Sequence, residues 1–335
     1  MKIKYFLIIV VISALFYACP DDDDGIESIP ERDREEQQII DNDSLIGYLE
    51  THYYNSGDFG MGNPNPDLSQ IVVTELMEGE TVPDDHTLLI DAVETHTTLF
   101  LDIEYDYYIL RINQGGSAMA PNFSDNVRVN FAGSTLDDEI FDDSVNPVDF
   151  DMTSLIPAWS RVMPQFNAAE SFVENGDGTV SYNNFGVGIM YVPSGLGFWS
   201  AGAPGVQPYS NLIFAFDMYQ TEVLDHDDDN VPSYLEDIDG DLALSDDDTD
   251  GDGLADFIDV DDDGDLVLTK YEDLEPDEDL LVDRDGDGDP TNDIGDLDPT
   301  NDDRNGNDIP NYLDDTEECS NQDYTGTNGI PDCDL

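Results

Sequence analysis

The chain has 335 residues, 39% of them apolar and 10% aromatic, which is enough for at least one buried core and room for two or three units. Its net charge of −69 is unevenly placed: residues 225–335 hold 42 Asp and Glu against 3 Lys and Arg. Such a surface repels nucleic acid and anionic lipid and carries no basic patch, so cations are the expected partners and nucleic acid is not.

Residues 1–18 read as a signal peptide, with Lys2 and Lys4 ahead of an apolar run too short to span a membrane comfortably. The run ends Leu-Phe-Tyr-Ala-Cys at 15–19. A small residue before a cysteine resembles the lipobox of bacterial lipoproteins, which implies lipidation of Cys19. Phe16 and Tyr17 depart from the tightest form of that motif, and ordinary signal cleavage is the alternative. Residues 19–38 form an acidic tether. Its Asp run at 21–24 resembles the export signal of surface lipoproteins in Bacteroidetes-type bacteria, and reads equally as a solvated spacer. No other run is long enough to cross a bilayer, so the expected location is the bacterial envelope, as an outer-membrane lipoprotein held by lipid on its periplasmic or surface side.

Residues 39–116 make an N-terminal helix and strand region. Ile39, Ile40, Leu45, Ile46, Leu49 and Tyr53 recur at helical spacing, and a Gly, Asn and Pro-rich stretch at 55–66 ends the helix. Residues 71–76 are expected as a short strand. Leu99, Leu101, Ile103, Tyr105, Tyr107 and Ile109 alternate and predict one longer strand. His52, His86 and His96 are isolated and point to no catalytic or metal site.

The next unit spans 117–221. Val-Arg-Val-Asn-Phe-Ala-Gly at 127–133 alternates as a strand, and Ile-Phe-Asp-Asp-Ser at 140–144 is read as a turn region. A short amphipathic helix follows, carrying Leu155, Ile156, Trp159, Val162, Met163 and Phe166. Thr153 or Ser154 is its expected cap, with Pro157 in the first turn where a missing N–H is tolerated. Leu-Ile-Phe-Ala-Phe-Asp-Met at 212–218 supplies a second alternating strand. The residues between helix and strand include Glu-Asn-Gly-Asp-Gly-Thr at 174–179, a hairpin turn.

These blocks, in order, resemble the FKBP-type peptidyl-prolyl cis-trans isomerases over about 121–220. Residues 127–133 are similar to the family's first core strand, 141–144 to its Phe-Asp-Ser-Ser, and 147–150 to its Pro-Phe-x-Phe. Residues 155–159 are similar to its Val-Ile-x-Gly-Trp, 191–198 to a bacterial Ile-Pro-Ser-x-Leu-Ala-Tyr segment, and 206–214 to Ile-Pro-Pro-x-x-x-Leu-x-Phe. The resemblance implies an α+β fold, an antiparallel sheet wrapped on one short helix, with an aromatic pocket for a proline ring. It implies Asp142, Trp159 and Phe198 in catalytic positions. Phe131, Phe141, Val148, Leu155, Ile156, Val206 and Phe214 are implied around the substrate, and no cofactor is implied for catalysis. Three departures stand out. Phe131 and Phe198 replace tyrosines, and the counterpart of Phe198 donates a hydrogen bond to the substrate carbonyl. Val148 replaces a phenylalanine of the pocket wall, and Ala158 a helix glycine. The implied substrates are proline-containing segments of exported proteins; a non-catalytic binding module is the competing reading.

Residues 222–335 are an acidic repeat region. Asp248, Asp250, Asp252, Asp256 and Asp259 occupy positions 1, 3, 5, 9 and 12 of a twelve-residue loop, with Gly253 at position 6, the arrangement in which alternate carboxylates wrap a hard cation. Asp261, Asp263, Asp265 and Glu272 repeat it with Leu266 at the turn. Asp225, Asp227, Asp229 and Glu236 do so with Asn230, and Asp303, Asn305, Asn307 and Asp314 with Asp308. Asp283, Asp285 and Asp287 begin a further, incomplete loop. Val-Pro-Ser-Tyr-Leu-Glu at 231–236, Leu-Ala-Asp-Phe-Ile-Asp at 254–259 and Ile-Pro-Asn-Tyr-Leu-Asp at 309–314 are one repeated unit. They resemble the calcium-binding type 3 repeats of thrombospondins, which implies a tail stabilised by calcium; a disordered acidic stalk is the alternative. Cys319 and Cys333 are compatible with one disulfide or with two free thiols, and no Cys-x-x-Cys suggests zinc.

Overall fold

The computed structural model describes residues 31–60, 62–272, 274, 299–301, 306–307 and 309–316. The signal sequence, Cys19, the tether as far as residue 30, Asp283, Asp285, Asp287, Asp303, Asn305, Cys319 and Cys333 lie outside them.

Helix α1 (Arg34–Thr51) opens with Asp33 as its cap, accepting from the Glu36 N–H. Strands β1 (His52–Tyr54), β2 (Val73–Glu75) and β3 (Thr87–Leu88) form a small sheet in the order β2-β1-β3. β4 (Glu94–Phe100), β5 (Ile103–Gln114), β6 (Asn126–Thr135) and β7 (Ile140–Asp151) follow, then α2 (Pro157–Val162). The hairpin β8 (Ser171–Glu174) and β9 (Val180–Asn183) flanks the turn expected at 174–179, and β10 (Gly186–Val192) and β11 (Leu212–Glu222) complete the sheet. Six antiparallel strands lie in the order β4-β5-β10-β11-β6-β7. The boundary expected between 116 and 117 therefore falls between two strands of one sheet.

The two faces of this sheet have different covers. On one, Tyr105, Tyr107, Ile109, Met190, Phe214 and Phe216 pack with Trp159, Val162, Met163 and Phe166 on and after α2. On the other, Leu45, Tyr48 and Leu49 of α1 pack on Tyr108, Leu110, Ile189, Tyr191 and Ile213. The central strands are thus buried on both sides, and every residue of β10 is buried. A strand in that position has no solvent face to alternate toward.

Four local expectations change. The alternation from Leu99 to Ile109 is two strands, since Leu101 and Asp102 both take positive φ (50° and 63°) in a two-residue hairpin turn that leaves Leu99 and Leu101 exposed. Residues 140–144 are not a turn but the start of the twelve-residue strand β7, which lies at the sheet edge with most side chains exposed and so shows no apolar period. Thr153 and Ser154 do not cap α2. They sit in a 3-10 turn, Met152–Ser154, capped by Asp151, and α2 begins at Pro157 after Ile156 without a side-chain cap. In α1, Ile39 and Ile40 are exposed, while Gln37 and Asp41 are buried in their stead.

Candidate functional site

Pro157 at the first position of α2 needs no hydrogen-bond partner for its nitrogen, which lets the helix start abruptly beneath the sheet. Two residues later Trp159 is 3% exposed and makes edge contacts with Phe131, Phe150 and Phe214 at ring separations of 6.0, 5.8 and 5.4 Å. Phe141 stands edge-on to Phe214 at 5.6 Å and to Phe198 at 6.1 Å. Edge-to-face pairs of this kind contribute about 0.5–1.5 kcal/mol each beyond burial. Gly133 lies beneath this group, where an added Cβ would come within 2.7 Å of the Phe214 ring and 2.8 Å of Phe141.

The structure thus gathers Phe131, Phe141, Val148, Leu155, Ile156, Trp159, Phe198, Val206 and Phe214 into one apolar cluster. Phe141, Val148, Leu155, Ile156 and Phe198 are only partly buried, and form its open side. Asp142 lies exposed on the edge strand next to Phe141, paired across to Gly133. The nine gathered residues carry no charge or hydroxyl, so together they can hold an apolar ring and exclude water from it.

A residue that sequence reasoning missed holds one wall. Asp41 of α1 is 2% exposed, and its carboxylate accepts from the Ser194 N–H (2.9 Å), the Ser194 hydroxyl (2.6 Å) and Gln37 Nε2 (2.6 Å). Its backbone carbonyl accepts from Asn211 Nδ2 at 3.0 Å. Ser194 and Asn211 flank the segment that carries Phe198 and Val206, so α1 fixes both ends of that segment. An aspartate among apolar helix positions, followed by Ser and Asn in a distant loop, gives no local signal of this contact.

The acidic region follows β11 directly. Carboxylate oxygens converge to within 4.8 Å of one another in four groups: Asp227, Asp229, Glu236 and Asp262; Asp237, Asp239 and Asp241; Asp248, Asp250 and Asp252; and Asp261, Asp263 and Asp265. The sixth residue of each loop is left-handed, with φ of 79° at Asn230, 68° at Leu242, 101° at Gly253 and 81° at Leu266. Backbone N–H groups inside each loop point at the same carboxylates, as when Asp229 N–H donates to Asp225 and Asp227 and Gly253 N–H to Asp248. Burial, then Asp229 and Asp227, push Glu236 up to about 9; burial, then Asp229 and Glu236, push Asp262 up to about 10. Burial raises Asp227 and Asp229 too. In the fourth loop burial, then Asp263 and Asp265, push Glu272 up to about 10.

Some expected ligands stand beside the convergent sets rather than in them. Asp256 does not converge with Asp248, Asp250 and Asp252; its carboxylate accepts from the Thr249 N–H and hydroxyl. Asp259 instead accepts from the Asp261 N–H of the next loop. Asp225 is bound to loop N–H groups and stands outside its convergent set. Asn307 donates to Asp314 at 2.7 Å. Asp262 and the loop of Asp237, Asp239 and Asp241 were not foreseen, although that loop repeats the same alternate-Asp spacing.

Among the described residues no helix is long and apolar enough to cross a membrane. A family model described as BamM C-terminal matches residues 226–281, a segment that contains all four carboxylate groups. Over 109 residues the chain is 28% identical to the FKBP-type peptidyl-prolyl cis-trans isomerase FkpA of Escherichia coli strain K12, and the same figures hold for that of E. coli O157:H7. These matches cover 32% of this chain, which spans 34% of the length of either relative. Among solved structures, a peptidyl-prolyl cis-trans isomerase from Pseudomonas syringae is 14% identical with a TM-score of 0.33, over 58% of this chain and 98% of the other. FkpA from E. coli is 24% identical with a TM-score of 0.29, over 35% and 48%.

Proposed function

We propose that the protein is an FKBP-type peptidyl-prolyl cis-trans isomerase of the bacterial envelope, lipidated at Cys19, acting on proline-containing segments of exported proteins and carrying a calcium-stabilised tail. The observation that carries the isomerase reading is the gathering of nine apolar side chains, Trp159 among them, in one cluster, in a chain similar to FkpA over about a third of its length. Proline isomerisation needs no acid, base or nucleophile: its barrier is loss of amide resonance, about 18–20 kcal/mol for a peptide bond. A twisted amide is less dipolar than a planar one, so a dry aromatic pocket favours it over the ground state. Phe198 supplies the ring of its tyrosine counterpart without the hydroxyl. The missing hydrogen bond lowers transition-state stabilisation by about 1–1.5 kcal/mol.

The tail reading rests on the chemistry of the donors. Sets of three and four carboxylates, all oxygen, at alternate positions of left-handed turns suit a hard cation such as calcium. Asp227, Asp229, Glu236 and Asp262 would hold one such ion, and Asp261, Asp263 and Asp265 another. The cation would neutralise the loops and fix the repeats in place.

A coupled assay with a proline-containing peptide tests the enzyme: acceleration that rises linearly with protein concentration is expected. The two hydroxyls lost at Phe131 and Phe198 favour a second reading, a non-catalytic module displaying an apolar peptide groove. Peptide binding by well-folded protein without any acceleration would establish that reading in place of the first.

A further inference from the structure

The first carboxylate group differs from the other three in where its members come from. Asp227, Asp229 and Glu236 belong to the loop that follows β11, whereas Asp262 belongs to the fourth acidic loop, with two further loops in between. Asp229 and Glu236 are 0% exposed and Asp262 is 1% exposed. Neither oxygen of Asp262 has a hydrogen-bond partner, and one oxygen each of Asp227 and Asp229 is buried in the same condition. Among the described residues none of the four is paired with a Lys or Arg. Buried carboxylates without donors or counter-charges are strongly unfavourable, and a cation shared among them removes the penalty.

Chain segment 226–262 therefore leaves and returns to one point, forming a closed lap. At its neck, His226 Nε2 meets Asp151 Oδ2 at 3.3 Å, at the end of β7, and the His226 ring is edge-on to Phe257 at 5.4 Å. The body of the lap faces the start of α2 across a shared cavity. Leu242, Leu244 and Phe257 enclose, with Leu155, Pro157 and Arg161, a cavity of about 170 Å³. Leu155 belongs to the apolar cluster and Pro157 starts the helix that carries Trp159.

We infer that one divalent cation, bound between Asp227, Asp229 and Glu236 on one side and Asp262 on the other, closes the lap at its neck and so holds it against α2, coupling cation occupancy to the helix that floors the aromatic cluster. This inference deepens the calcium reading of the tail and rests on it. Asp262 is the ligand that makes the site an inter-loop clasp, and a cation confined to the first loop would leave the lap open.

The test uses the full chain and calcium chloride. Calorimetry on the wild type should find several sites, and Asp262→Asn should weaken one of them by at least about tenfold, because ligand charge count sets affinity in such sites. Glu236→Gln, on the opposite side of the clasp, should weaken the same site, and the double variant should add little to either single change. Hydrogen exchange supplies a readout that does not depend on activity: calcium should slow exchange at 242–245 and at 157–162 in the wild type, and this slowing should vanish in Asp262→Asn. The stability of Asp262→Asn should also change sign relative to the wild type, above it in EDTA, where a buried charge has been removed, and below it in calcium. A wild type that binds no calcium overturns the tail reading and the clasp together. Calcium binding with unchanged affinity in Asp262→Asn, or protection of the loops without protection of α2, overturns the clasp alone.

Discussion

Around Trp159 four phenylalanine rings lie within 6.4 Å, so what is buried there is satisfied by its neighbours. Around Asp262 the neighbours are other carboxylates, and burial makes each worse for the next. The sheet and its two helices are built around an apolar core, while the tail is arranged around clustered carboxylates. One polypeptide thus joins a part held by apolar packing with a part whose stability, under the proposed cation binding, would depend on the solution.

That contrast can be broken most directly at the core. Trp159→Ala should lower folding stability by about 3–5 kcal/mol, the usual loss for a buried aromatic, measured by urea unfolding in EDTA. A loss below about 1 kcal/mol would mean that the ring cluster is not the stabilising centre. Asp41→Ala should cost about 2–3 kcal/mol, since it strips a buried Ser194 N–H and hydroxyl of a charged acceptor. The same variant should loosen the segment carrying Phe198 and Val206, seen as faster hydrogen exchange at 194–211.

A pH experiment separates the two regions further. Burial pushes Asp217 in β11 up to about 7 from 3.8, against the hydrogen bonds it accepts from Leu68 N–H and Tyr219. A carboxyl raised on folding stabilises the fold when protonated. The stability is therefore full below about pH 4 and is lost as pH rises through about 7. Asp217→Asn should remove about 1–3 kcal/mol of that decline between pH 4 and 8, read from melting curves at a fixed excess of calcium. Phe198→Tyr should raise kcat/KM about five- to tenfold, the equivalent of 1–1.5 kcal/mol, and leave stability unchanged. An unchanged rate would place the ring outside reach of the substrate carbonyl. Smallest is Leu266→Gly: an exposed leucine at φ 81° is strained, so glycine should stabilise the fourth loop by about 0.5–1 kcal/mol, visible as a higher melting point in calcium.

The sequence was most legible where one residue type had one physical duty. Apolar blocks from Phe131 to Phe214 name side chains that the fold does bring into one cluster, because each block keeps its apolar positions on the inner face. The alternating acids also name loops that do converge, at least at positions 1, 3 and 5 of the loops beginning at Asp248 and Asp261. Legibility failed where tertiary position decided. β7 has an edge to itself and no periodic face, and β10 is buried throughout. Asp41 and Asp262 are ordinary acids in the sequence, and only the return of a distant segment gives them partners. Leu99 and Leu101 kept a perfect alternation through a turn, because a two-residue hairpin does not interrupt the count.

The strand order has a consequence for how the molecule assembles. β5 pairs with β10, so that Leu110 lies opposite Ile189, and β6 pairs with β11, so that Phe131 lies opposite Phe216. Neither α1 nor α2 has a complete surface to dock on until residue 222 is available. Contacts between such distant segments require costly loop closure before they yield any stabilisation, which makes folding slow relative to a locally wired domain. An emerging chain can form the β4–β5 and β6–β7 hairpins early, but these stay apart until β10 and β11, which join them, are available.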